Sequence, residues 1–282
     1  MKHQSAIFET DFPYYKYLEY SLHEGDLSKV SKNILEKQKD NTALIAFGPS
    51  LSEKLFGKDL PEEFTDFEEI NKTKSFPQTQ RDLFIWVQGK TVGDVFDRAR
   101  TIDNLLPANA SLKLEKDGFT YHDSRDLTGF IDGSANPQGE KALDAAIIAT
   151  GPAKGGSIVL TQQWNHKLGM FPIMPEQEQE KVIGRTKPNS IEFEGDDMPE
   201  NSPVAKTDIS GTKIFRRSAP FGNLQEHGLY FLAFSCEQKR FSILLESMAG
   251  ANGSYDRIMD FSNPVTGSYF YCPSVDQLKN IS

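Results

Sequence analysis

Two cysteines in 282 residues, Cys236 and Cys272, are too few for a disulfide framework or a zinc cluster. Cys236 lies in an apolar run and reads as a buried thiol. Histidine is also scarce: His3, His23, His122, His166 and His227 share no metal-ligand spacing. No apolar run reaches the length of a membrane span, and Met1-Lys2-His3-Gln4-Ser5 leads into acidic and aromatic residues without a signal-peptide core. The expected location is the cytoplasm. Basic residues are outnumbered, 31 Lys and Arg against 40 Asp and Glu. The resulting net charge of -9 argues against nucleic acid or an anionic membrane as partner, while leaving room for a local basic pocket. The glycine-rich stretch from Gly151 to Ser157 lacks the Gly-Lys-Ser/Thr ending of a phosphate loop. The acidic run Glu192 to Glu200 lacks EF-hand spacing and reads as a solvated loop.

What remains is a soluble balance of 38% hydrophobic and 25% charged residues, ample for a real core. Tyr15 to Leu22 reads as a strand, Asp26 as the cap of a helix through Lys39, and Ala43 to Phe47 as a strand followed by a short helix at Leu51–Phe56. Lys58 to Thr79 is weakly patterned and reads as loop. Asp82 to Gln88 is a strand and Thr91 to Leu106 a helix with Val92, Val95, Phe96, Ala99, Ile102 and Leu106 on one face. Ser111–Glu115 and Phe119–His122 make a strand or hairpin. The same order then recurs: strand Gly156–Trp164, helix Pro175–Arg185, strands Lys213–Arg217 and Gly228–Ser235, helix Arg240–Met248, strand Gly267–Tyr271. Strand-helix-strand-strand-helix-strand, twice, predicts an α+β fold of two ferredoxin-like (split βαβ) halves with antiparallel sheets. The boundary falls between Leu127 and Asp144 and is set at 128/129, giving halves 1–128 and 129–282. Tyr269, Phe270 and Tyr271 read as core, with an electron relay to the surface as the alternative.

The chemistry concentrates in Gly129-Phe130-Ile131-Asp132-Gly133-Ser134-Ala135-Asn136-Pro137. Glycines let the chain turn sharply, and Asn and Pro close the turn, so Asp132 is held by its neighbours. By spacing alone this is either an ordinary Asx-turn or an aspartate presented at a cavity mouth as a general acid/base. Gly129-x-x-Asp132-Gly133 continuing through Asn136-Pro137 resembles the signature of the dye-decolourising peroxidases, haem enzymes, in their bacterial cytoplasmic form. Val182-Ile183-Gly184-Arg185-Thr186-Lys187-Pro188, Phe215-Arg216-Arg217-Ser218-Ala219-Pro220-Phe221-Gly222, His227-Gly228-Leu229-Tyr230-Phe231 and Asn263-Pro264-Val265-Thr266-Gly267 resemble that family in the same order.

The resemblance implies paired ferredoxin-like sheets, barrel-like and dimeric or otherwise homo-oligomeric, with a haem b cavity in the second half. It implies hydrogen-peroxide-dependent oxidation of phenolic or dye-like aromatic donors. Splitting an O–O bond needs a group to move a proton and a cation to stabilise negative charge. Asp132 and Arg216 take those places, over the distal haem face. Ile131, Gly133, Ser134, Arg216, Ser218 and Phe231 are the residues the resemblance sets against the cofactor. A peroxidase iron is commonly held by His; the family's axial His is expected directly after Ser202, where Pro203 stands. His166 and His227 match family positions other than the axial one and are the remaining substitutes. Three readings follow: haem held by its propionates and apolar walls, with water, Met198 or another group near iron; weak or no haem on a retained fold, giving a non-catalytic binding protein; or another small anionic or porphyrin-like ligand.

Overall fold

The computed structural model describes residues 2–281. The first half runs β1 (Tyr14–Ser21), α1 (Ser28–Lys37), β2 (Ala43–Phe47), α2 (Pro49–Phe56), a small hairpin of β3 (Ile70–Asn71) and β4 (Ser75–Phe76), β5 (Leu83–Gly89), α3 (Val92–Asp103) and β6 (Ser111–Phe119). The second runs α4 (Glu140–Ala146), β7 (Ser157–His166), α5 (Glu176–Ile183), α6 (Pro203–Thr207), β8 (Phe215–Arg216), β9 (Ala219–Gly222), β10 (His227–Ser235), α7 (Gln238–Ala249), β11 (Ser262–Pro264), β12 (Ser268–Cys272) and α8 (Val275–Leu278).

The strand order β2-β5-β1-β6 in the first half is matched by β12-β7-β10-β9 in the second, so each first strand lies between its third and fourth. That is the ferredoxin-like arrangement, twice. The halves fuse into one ten-stranded antiparallel sheet through two narrow seams, Gly118 opposite Phe221 and Tyr271 opposite Phe47. Alternation along each strand sends one set of side chains into the closed interior and the other outward under the helices. Tyr17, Phe84, Trp86, Tyr230, Phe234 and Phe270 fill the interior. Glu19 is buried with them; its Oε1 accepts from Tyr230 Oη at 2.6 Å and Thr161 Oγ1 at 2.8 Å, tying β1 to β7 and β10. Leu18, Tyr20, Ile45 and Ile85 face outward under α1 and α3, and Leu160, Ala233 and Tyr269 under α7.

Several local expectations change. Asp26 is not the cap of α1: Leu27 holds that position, and the Asp26 carboxylate accepts from Ser28 N two residues on. The stretch 58–79 contains the β3–β4 hairpin and buries Phe67 and Phe76 completely, because two aromatics outweigh a polar surround. Helix α3 stops at Asp103, and Val92 and Phe96, at its solvent edge, stay exposed. Ser111–Phe119 is one continuous strand. Cys236 is only half-buried, just past the end of β10, whereas Cys272 is buried within β12. The triplet Tyr269-Phe270-Tyr271 is interior or sub-helical, each residue under 5% exposed.

Candidate active site

The turn 126–137 is rigid for reasons that start with its glycines. Gly129 adopts φ +89° and Gly133 φ +76°, backbone angles that side chains disfavour. Asp126 closes the loop: its N–H donates to Phe130 O at 2.8 Å, and its Oδ2 accepts from Thr128 N and Oγ1 at 3.0 and 2.6 Å. Its other oxygen meets His166 Nε2 at 2.9 Å, and His166 Nδ1 meets Ser262 Oγ at 2.7 Å. Burial alone would raise the Asp126 pKa; the imidazole and the Thr128 donors outweigh it and hold the carboxyl below its ordinary range. Arg125 braces the far side, donating to Gly129 O and Lys187 O at 2.8 and 2.7 Å. Asp132 is therefore presented by a turn anchored at both ends.

Arg216 reaches it from β8. Arg216 Nη2 lies 3.8 Å from Asp132 Oδ1, with both side chains about one-third exposed, at 31% and 27%. Asn136 fixes this approach from the turn, accepting from Arg216 N at 2.9 Å and donating to Arg216 O at 2.8 Å. Arg185 stands nearby, bonded to Ser134, to Ser190 Oγ at 3.0 Å and to Glu192 Oε1 at 2.6 Å. Burial lowers the Arg185 pKa and Arg216 adds to that, while Glu192 opposes it.

These groups form the polar end of a cavity of about 340 Å³ between the outer face of β7 and β10 and helices α5, α6 and α7. That volume lies within the ~300–1,000 Å³ range of small-molecule sites. Alternate residues of β7 (Leu160, Gln162, Trp164, His166) and of β10 (Leu229, Phe231) point into it, opposed by Phe241, Leu245 and Met248 of α7. Gln162 Nε2 is a buried donor without a partner in this wall. Asp132, Arg216, Ile131, Ser134 and Phe231 are thus brought around one cavity. Gly133 and Ser218 fall instead on a second cavity, where Ser218 Oγ accepts from Leu232 N at 3.3 Å. His227 lies in the β9–β10 hairpin against Asn223 O and lines neither cavity.

Pro203 lines the first cavity as the opening residue of α6. Proline suits that position, whose N–H has no helical partner, and Ser202 caps the helix by accepting from Ala205 N at 3.2 Å. Met198 is tucked behind the cap, its sulfur 3.4 Å from Ser202 Oγ, and does not line the cavity. Beside this segment, where Arg257 N donates to Asn201 O, the fully buried Asp256 has an Oδ2 with no partner. Burial pushes its pKa up to about 8. Among the described residues, no cluster of His, Cys, Asp and Glu is arranged to hold a bare metal ion.

The sequence reading missed Asn136 as a clamp, Arg185 as a wall residue, and the Asp126–His166–Ser262 chain. Asn136 and Arg185 sit in stretches already singled out, but the hydrogen bonds that define their roles join positions up to 80 residues apart.

Fold and cavity together define a class: a barrel-built protein that sets a carboxylate and a guanidinium side by side on a largely apolar cavity. The family models narrow this. Dyp-type peroxidase, N-terminal matches residues 20–120 and Dyp-type peroxidase, C-terminal matches residues 123–277, and the chain belongs to the Dyp-type peroxidase family. It is 35% identical over 248 residues to a dye-decolorizing peroxidase of Rhodococcus erythropolis, covering 84% of this chain and 73% of that one. A dye-decolorizing peroxidase of Mycobacterium tuberculosis is 32% identical over 277 residues, covering 92% and 82%. Among solved structures, the dye-decolorizing protein from V. cholerae superposes with a TM-score of 0.89 at 32% identity, over 99% of both chains. A variant of DypB from Rhodococcus jostii in complex with heme gives 0.88 at 27% identity, over 98% and 97%.

Proposed function

We propose that this protein is a haem-binding peroxidase that uses hydrogen peroxide to oxidise small phenolic or dye-like aromatic donors. The observation that carries the reading is the Asp132–Arg216 pair, 3.8 Å apart at the polar end of an apolar cavity. Two donors each give up one electron and one proton, and one peroxide becomes two waters. Bound haem would supply the iron at which the O–O bond opens. Asp132 moves a proton between the peroxide oxygens, and Arg216 stabilises the negative charge that develops. Asn136 keeps Arg216 in reach. Family membership, and a relative solved with heme, support the cofactor.

The cavity walls suit the macrocycle. Leu160, Trp164, Leu229, Phe231 and Phe241 would hold it by apolar contact, and Arg185 would offer a positive charge to its carboxylates. The axial side does not fit in the same way. Pro203 has no donor atom where we read the family's axial His, and both nitrogens of His166 are already bonded. The orphaned Asp256 oxygen nearby is consistent with a lost N–H donor. No step is therefore assigned to an axial side chain. This observation favours a second reading, a non-catalytic member that binds haem, a porphyrin or another small anion.

No helix is long and apolar enough to cross a membrane among the described residues. We take the protein to act in the cytoplasm, as a homo-oligomer, with the seam between its halves at 128/129. A haemin titration read in the Soret region, followed by a peroxide assay, tests the reading. Saturable one-to-one binding with turnover that collapses in Asp132→Ala and Arg216→Ala supports the enzyme. Saturable binding without turnover selects the binder. Restored turnover in Pro203→His would place the defect at the axial position alone.

A further inference from the structure

We propose that the second cavity is a separate binding site for a small aryl carboxylate, with Arg217 as its anchor. This cavity, of about 890 Å³, lies across the Asp132–Asn136–Arg216 wall from the first, since those three residues line both. Its sides are aromatic: Phe8, Tyr15, Phe119, Tyr121 and Phe215. Phe8 and Phe215 already pack at 5.0 Å between ring centres, leaving ring edges and faces for a planar guest.

Arg217 is what gives the site its sign. Its guanidinium sits 5.0 Å over the Trp86 ring, and Nη1 donates to Ile7 O at 2.9 Å. Arg125, Arg185, Arg216 and Arg240 each lie within 4 Å of a carboxylate; among the described residues Arg217 has no such partner. The phenols of Tyr15, hydrogen-bonded to it, and Tyr17 act on it. The one carboxylate that does so, Glu9, is committed elsewhere, to Asn41 Nδ2 at 2.6 Å and to Thr10 and Asp11 N–H groups at 3.1 Å. Burial pushes the Arg217 pKa down, and the opposing pull of Tyr15, Tyr17 and Glu9 does not make up for it. A partly desolvated cation without an acid is costly, and the cost is removed when a ligand carboxylate arrives. On a chain of net charge -9, such a cationic aromatic recess is not background. The remaining acids of the wall, Asp132 and Glu140, are respectively paired with Arg216 and exposed at the rim.

The test is calorimetric titration of the full chain with 4-hydroxybenzoate and with its neutral methyl ester, before and after saturation with haemin. The site predicts one-to-one binding of the acid that persists with haemin bound. It predicts affinity about tenfold or more weaker for the ester, and a similar loss for the acid in Arg217→Gln. Equal affinity of acid and ester overturns the proposal, as does the absence of saturable heat at millimolar acid. Displacement of the acid by haemin would assign the binding to the first cavity and overturn it too. The ester comparison uses the unaltered protein, so a folding defect in Arg217→Gln does not cloud the outcome. No peroxide is involved, so failure here leaves the peroxidase reading standing, and failure of that reading leaves this site standing.

Discussion

The side-chain amide of Asn136 is bonded on both edges to the main chain of Arg216, accepting its N–H at 2.9 Å and donating to its carbonyl at 2.8 Å. This is a strand-like pairing made by a side chain, and it couples the two groups of the site through backbone. The Asp132 turn cannot move without carrying β8 with it. Replacing Asn136 with Ala removes both bonds, and the expected loss is about 1–3 kcal/mol of stability, measured by urea denaturation. Turnover should fall further than stability explains at a temperature where the variant is folded. An unchanged denaturation midpoint would show that the clamp contributes nothing.

Asp256 gives the protein a stability that depends on pH. Its folded pKa, about 8, is raised above the unfolded value near 3.9, because burial disfavours its charged form. The contribution is complete below about pH 4 and is lost as pH rises towards 8. Asp256→Asn keeps an acceptor for Ile258 N and removes the titration. The variant should gain roughly 3 kcal/mol relative to the parent between pH 5 and pH 8. Parallel stability curves for the two proteins across that range would refute the assignment.

The Asp126–His166 pair acts in the opposite direction. The Asp126 pKa is depressed, so its stabilising effect is present above about pH 4 and disappears as pH falls below that value. His166→Ala would strand a buried carboxylate at a cost of about 3–5 kcal/mol and bring acid unfolding to a higher pH. Adding Asp126→Asn to His166→Ala should recover part of the loss. A double variant no better than the single one would mean that packing, not charge, holds this corner.

Gly129 carries a conformational requirement that substitution exposes. At φ +89° an added Cβ is strained, and it would stand 2.7 Å from Lys187 Cε. The lysine end can move, so the backbone term decides. Gly129→Ala should cost about 1–2 kcal/mol, with no rescue from Lys187→Ala. Rescue would show that the contact, and not the angle, is limiting.

The two-fold strand-helix order was readable because apolar runs such as 43–47 and 228–235 are decided by local burial. The barrel closure was not. It rests on two seams of single residue pairs, Gly118 with Phe221 and Tyr271 with Phe47, which leave no periodic trace. Asp132 and Arg216 were legible as a pair through their motifs. The roles of Asn136 and His166 were hidden because an amide clamp and an imidazole brace are defined by partners 80 and 40 residues away. Helix α6 escaped for a different reason: five residues are too few to show a period, although Ser202-Pro203 is a helix-opening dipeptide.

The seam between β12 and β2 also sets an order of events during synthesis. The strand that meets the outer edge of β2, at Phe47, spans Ser268–Cys272, more than two hundred residues downstream. Throughout translation of the intervening chain, the outer edge of β2, Ala-Leu-Ile-Ala-Phe, is covered at Ile45 by the Gln4 side chain and is otherwise able to pair with a neighbouring nascent chain. The ring therefore shuts only once β12 has been made, and the vulnerable period for this fold is its birth rather than its working life.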